Sequence, residues 1–284
     1  MDYDGETILY ELSGKANSIM RKSFEICAPL YKAEAGIHYD IQFNFIQLFS
    51  SCYLSSESAL ILIANYRLWD TEILYRSVLE GTIKLFYLSS GTIQDVSKKC
   101  NEFWIEIPEC KMISRHYKAM QLLEKIDDGS SKYLPIRELL LTDEELNELT
   151  ERYSHKYRRK LDQKWSFSEM VKVLSDSDIK GFDTLIAAYY GYSLSSHLIH
   201  QDGDAIGLIW DRNNRDIPRK QALELAHGAR LISDILSLAM LRTGLYLRFY
   251  KIGTEAMVIL SKAFNDLQSI TSQYYDEWIA IEYD

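Results

Sequence analysis

Between Ser193 and Gly207 the sequence reads SLSSHLIHQDGDAIG, setting three serines, two histidines and two aspartates where a helical pattern runs into glycine. At about 100° per residue, Ser193, Ser196, His197 and His200 share a sector roughly 100° wide, while Leu194 and Leu198 point elsewhere. Imidazoles near a helix C-terminus are favoured in the protonated form by the macrodipole. Such a face suits a proton donor or a phosphate contact. A second reading of the same residues is a divalent-metal set, His197 and His200 with Asp202 or Asp204. The H-E-x-x-H spacing is absent, so no metal and no cofactor is assigned. The competing account is simply the polar end of a helix.

TEILYRSVLEGTIKLF, residues 71–86, is the second constellation. Glu72, Arg76, Glu80 and Lys84 stand at successive i, i+4 positions, a ladder that is usually a solvated surface. Here Leu74, Val78, Leu79, Leu85 and Phe86 occupy the remaining faces. This helix is therefore expected to be mostly buried. Buried charges demand partners, so Arg76 and Glu80 are expected to hold one another or a polar group on a neighbouring helix. Two cationic groups could meet phosphate. One is RYSHKYRRK, residues 152–160, with Lys164; the other is Arg212, Arg215, Arg219 and Lys220, read as a loop just after the histidine segment.

These groups must be positioned by helices, because helical periodicity dominates the chain. Helices are predicted over 6–34, 39–66 and 69–90, and a polar segment 92–106 precedes a helix opening near Pro108. DDGSS at 127–131 reads as a linker. TDEE at 142–145 is a capping box opening a charged helix to about Leu161, and SFSE at 166–169 is another. Helices over 182–200, 218–250 and 254–278 complete the chain. The expected architecture is one all-α domain over 1–284, a bundle of about seven to nine helices, with 92–162 as an insertion or lid.

The 284 residues suffice for a sizeable core, and 47% of them are apolar. A formal charge of −9 disfavours a general nucleic-acid binder, which needs a basic face. RNA binding would rest on a local patch. Cys27, Cys52, Cys100 and Cys110 form no C-x-x-C pair and read as packing residues in a reducing compartment. No basic and then apolar leader opens the chain, and apolar runs such as ALILIANY fall short of the roughly 20 residues a bilayer needs. A soluble cytoplasmic protein without a membrane partner is expected. Walker A, G-x-G-x-x-G and G-x-S-x-G sequences are missing, GYSLS failing at its last position.

The helix YRSVLEGTIKLFYL, followed by the later SLSSHLIH, resembles an uncharacterised bacterial helical family related to the HEPN superfamily. Arg76, Ser77 and Glu80 match its R-S-x-x-E segment, and Ser196 and His200 its S-x-x-x-H segment. The resemblance covers mainly residues 60–90 and 180–250. It implies an all-helical, often dimeric effector of toxin or antiviral type that cuts RNA without metal. In that chemistry an RNA 2′-hydroxyl attacks the adjacent phosphorus, a histidine moves protons and an arginine stabilises the phosphorane. The superfamily places arginine and histidine on one helix with four to six residues between them. Here no arginine precedes His200 at that spacing, so a site would have to assemble across helices. Its expected members are His200 as acid/base, Arg76 as the cation with Glu80 orienting it, and Ser196 as a supporting donor. His197, Arg212 and Arg215 would contact the substrate. The alternative is a non-enzymatic sensor, antitoxin or partner-binding subunit of a defence system, with a homodimer or such a system as partner.

Overall fold

The computed structural model describes residues 4–32, 38–177, 186–253 and 255–283. The described chain is all-α, with no strand among the described residues. Its helices are α1 Gly5–Cys27, α2 Tyr39–Ala64, α3 Leu68–Ser89, α4 Ile93–Asn101, α5 Ile107–Ile126, α6 Leu134–Arg137 and α7 Asp143–Arg152. There follow α8 His155–Lys164, α9 Phe167–Ser175, α10 Ile186–His200, α11 Gly203–Asn213, α12 Ile217–Phe249 and α13 Glu255–Tyr283. The predicted starts at 182 and 254 lie outside the described residues.

Among the described residues twelve helices, with the four-residue turn α6 besides, replace the expected seven to nine. The excess comes from local stop signals. Tyr153 leaves helical geometry and Ser154 caps Tyr157 N, which cuts the predicted charged helix into α7 and α8. Gln201 at φ 53° ends α10. Asp202 then opens α11 in a segment whose sequence reads as a loop. The capping box at Thr142 and Glu145 forms as predicted.

Two compact units are present, Met1–Ser89 with Val171–Asp284, and Ser90–Met170. In the larger, α1, α2, α3 and α12 pack on one another, α13 lies on α12 and α1, and α10 lies on α3. Leu9, Phe45, Val78, Ile83, Ile232 and Tyr246 are core residues. Asp216 caps Arg219 N at 3.1 Å and Pro218 sits in the first turn, a combination that fixes where α12 begins. α2 is long and apolar enough to cross a membrane by length and composition, unlike the short runs read from the sequence. Within the bundle it buries Gln42, Asn44 and Ser56 as well as apolar residues, against α1, α3 and α12. All four cysteines are buried thiols, and burial pushes Cys27 up to about 12.

In the smaller unit a π-helical turn, Glu102–Glu106, joins α4 to α5. Buried Glu102 accepts from Lys164 Nζ at 2.6 and 2.7 Å and from Trp165 Nε1 at 3.0 Å. Arg152 and the Tyr153 hydroxyl both reach Glu109, the latter at 2.6 Å, and Tyr157 bonds Glu106. Arg152, Tyr153, Tyr157 and Lys164 of the cluster expected to meet phosphate are thus turned onto carboxylates of their own unit.

Candidate functional site

Glu72 lies on the face of α3 turned inward, and its carboxylate is 2% exposed. Three donors from two other helices approach it. His227 Nε2 is 2.8 Å from Oε1, the Arg230 guanidinium also bonds Oε1, and Ser195 Oγ is 3.4 Å from Oε2. Ser195 Oγ is also 3.0 Å from the Gly191 carbonyl oxygen, so its single proton has two acceptors. His227, Arg230 and Asp234 recur at i, i+3 and i+7 on α12, which puts them on one stripe of the helix. Arg230 Nη1 donates to Asp234 Oδ2 at 2.9 Å.

The charges follow from this geometry. Burial alone would raise the Glu72 pKa, but the His227 bond and the Arg230 charge outweigh it and hold the carboxyl below its ordinary value. Burial lowers the His227 pKa and outweighs the pull of Glu72, which favours the neutral ring. Because an ionised carboxylate only accepts, the proton must sit on Nε2, which makes Nδ1 the acceptor atom of the neutral ring. Asp234 is raised, chiefly by burial, although Arg230 opposes this.

Beside the network, the Trp69 ring contacts His227 edge-on, at 5.1 Å between centroids. Arg212, in the last turn of α11, stands over the same indole at 5.1 Å, within cation–π range. Burial and then the neighbouring Arg215 and Arg230 lower the Arg212 pKa. Arg212 has no carboxylate ion-pair partner among the described residues.

The residues singled out in the sequence are placed as follows. Arg76 Nη2 donates to the Tyr192 hydroxyl at 2.7 Å, with the guanidinium over that ring. Glu80 pairs with Lys84 at 2.6 Å instead of Arg76. Ser77 and His200 are exposed, and Ser196 is half-buried. Tyr192 and His200 are eight positions apart on α10, about 12 Å along its axis, and among the described residues no bond joins Arg76 to His200. His197 Nδ1 meets Asp204 at 3.0 Å and Asp202 at 3.4 Å, and these three, without His200, form the converging ligand group. Arg215 pairs with Asp211 and Glu282. Of the expected substrate contacts, Arg212 alone reaches the Glu72 network.

Glu72 stands in the predicted ladder, but His227, Arg230, Asp234 and Ser195 are not among the site residues the sequence singles out. For the first three the signal is HGARLISD, residues 227–234, three polar groups on one stripe of an apolar helix.

A family model described as a family of unknown function, DUF5677, matches residues 42–217, well over half of the chain. The chain belongs to DUF5677. The DUF5677 span includes Glu72, Ser195, Trp69 and Arg212, and it stops at the first residue of α12. No curated protein and no solved structure gives a significant match.

Proposed function

We propose that this protein is a cytoplasmic bacterial effector of toxin or phage-defence type that cleaves RNA without metal, at the corner formed by Trp69, Arg212, His227 and Arg230. The observation that carries the reading is Arg212. A partly buried guanidinium beside two other arginines, felt by Glu72 and Asp211 but in a close ion pair with no carboxylate among the described residues, favours an anionic ligand. Next to it stands a neutral imidazole oriented by a buried carboxylate, the arrangement of a general base. His227 Nδ1 would take the proton of an RNA 2′-hydroxyl as that oxygen attacks the adjacent phosphorus. The bond to the 5′-oxygen then breaks, and the leaving oxygen receives the proton. Arg212 would stabilise the charge on the phosphorane. The HEPN relationship belongs to this proposal, with His227 and Arg230 on one helix in place of His200 and Arg76. A homodimer is the assembly such a relationship suggests.

A second reading has its own support. A carboxylate satisfied by three donors also ties α3, α10 and α12 together with no reaction at all. Exposed Trp210, Ile217, Val258 and Ile259 would suit a partner-binding subunit. Purified protein incubated with total RNA in EDTA separates the two. Cleavage that survives chelation and is lost in both His227→Gln and Arg212→Ala supports the nuclease. Intact RNA, or cleavage unchanged in both variants, overturns it.

A further inference from the structure

A cavity of about 490 Å3 opens between α12 and α13, within the range of small-molecule sites. Its accessible wall is largely carbon, and hydroxyl and amide side chains are set into it. Arg230 and Ser233 line it from α12, and Asn265, Gln268, Ser272 and Tyr275 from α13. Gln268 Nε2 donates to Ser233 Oγ at 3.0 Å across the two helices. Tyr275 is half exposed and meets Trp278 edge-on at 5.5 Å between ring centroids.

The charge balance selects the ligand. Arg230 is already engaged by Glu72 and Asp234, neither of which lines the groove, so its charge is matched before a bare phosphate could arrive. What remains on offer is neutral hydrogen bonding, from the amides of Asn265 and Gln268 and from hydroxyl oxygens that can accept, since Ser272 and Thr271 already donate to carbonyls of α13. Amide side chains match the donor and acceptor edges of a base, hydroxyls match a sugar, and an aromatic ring matches a base face. We infer that this groove binds a nucleoside, the base and ribose next to the phosphate handled at Arg212. The inference rests on the RNA reading above, and Arg230 is the side chain shared by the groove and the Glu72–His227 pair.

Calorimetric titration of the full chain with adenosine and with uridine tests it, using inorganic phosphate as competitor. Saturable nucleoside binding is expected, unaffected by phosphate and weakened about tenfold or more, a difference that calorimetry resolves, by both Ser272→Phe, which fills the groove, and Gln268→Ala, which removes an amide. Circular dichroism confirms that each variant is folded; if Ser272→Phe is not, Gln268→Ala alone decides. Absence of saturable binding, displacement by phosphate, or binding indifferent to Gln268→Ala overturns the inference. RNA cleavage is scored in parallel. Nucleoside binding with no cleavage by any form retires the nuclease reading and keeps the groove, whereas cleavage without nucleoside binding retires the groove alone.

Discussion

His227 Nε2 donates to Glu72 Oε1 at 2.8 Å across 155 positions of sequence, and both side chains are almost wholly buried. The bond makes stability depend on pH with a definite sign. Both groups have folded pKa values below their ordinary ones. Each therefore contributes stability that is present above its unfolded pKa and lost as pH falls through the folded value. The His227 loss begins below about 6.5 and the Glu72 loss below about 4.3. Asp234 acts oppositely, since its raised pKa gives stability that is lost as pH rises. His227→Gln keeps an N–H for Glu72 and leaves Asp234 in place, so the difference between two profiles isolates the imidazole. Between about pH 7 and pH 5 the urea midpoint of the wild type should fall more steeply than that of His227→Gln. Parallel profiles would show that the ring is not buried neutral.

Deleting the acceptor should cost far more than deleting its weakest donor. Glu72→Ala leaves the His227 N–H without its acceptor and Arg230 with Asp234 alone, a loss on the order of 3–5 kcal/mol. Ser195→Ala removes only a 3.4 Å contact and should cost about 1 kcal/mol or less. Urea denaturation at neutral pH gives both numbers. Comparable losses would mean that the carboxylate does not anchor the three helices.

Arg242 presents the opposite case. It is 1% exposed, and its guanidinium donates to Thr82 Oγ1 at 2.8 Å and Ser56 Oγ at 3.1 Å, while its Nε has no partner among the described residues. Thr82 and Ser56 also bond the carbonyls of Val78 and Cys52. Removing the guanidinium therefore strands neither hydroxyl. Exchanging a buried charge for an apolar side chain of similar length is often neutral or stabilising by about 1–4 kcal/mol. Arg242→Met should accordingly hold or raise the melting temperature. A loss of about 2–5 kcal/mol, the size of a core truncation, would count against this account.

The sequence was most legible where a pattern is local. The predicted 39–66, 69–90 and 218–250 lie within a few residues of α2, α3 and α12, because apolar periodicity, Pro218 and the Asp216 cap act within one or two turns. The site is not local. Ser196 and His200 shared a helical face and matched a motif, yet Ser195, one position away and about 100° around α10, is the serine turned to Glu72. His227 pairs badly with the preceding Arg219, eight positions away and beyond the expected spacing, and Arg230 follows the histidine, the reverse of the expected order. Arg212 read as a loop cation until Asp202 was seen to open α11 beneath it.

Gly228, next to His227, sets how closely α12 approaches α1. A Cβ built there would stand 2.4 Å from Leu9 Cδ1 and 2.7 Å from Cδ2, well inside contact distance. Leu9 is fully buried, so it has no open space into which to turn. Alanine is the better helix former by roughly 1 kcal/mol, and on an open face Gly228→Ala would stabilise. Here the clash should win, because overpacking a closed core costs about 1–3 kcal/mol. Moving α12 off α1 would also displace the His227 ring from Glu72. Gly228→Ala should therefore lower the melting temperature and reduce the His227-dependent steepness of the pH profile together. Pairing it with Leu9→Ala, which vacates the space the methyl needs, should restore part of both. A stabilised Gly228→Ala would show that the two helices are not held at this distance by the missing side chain.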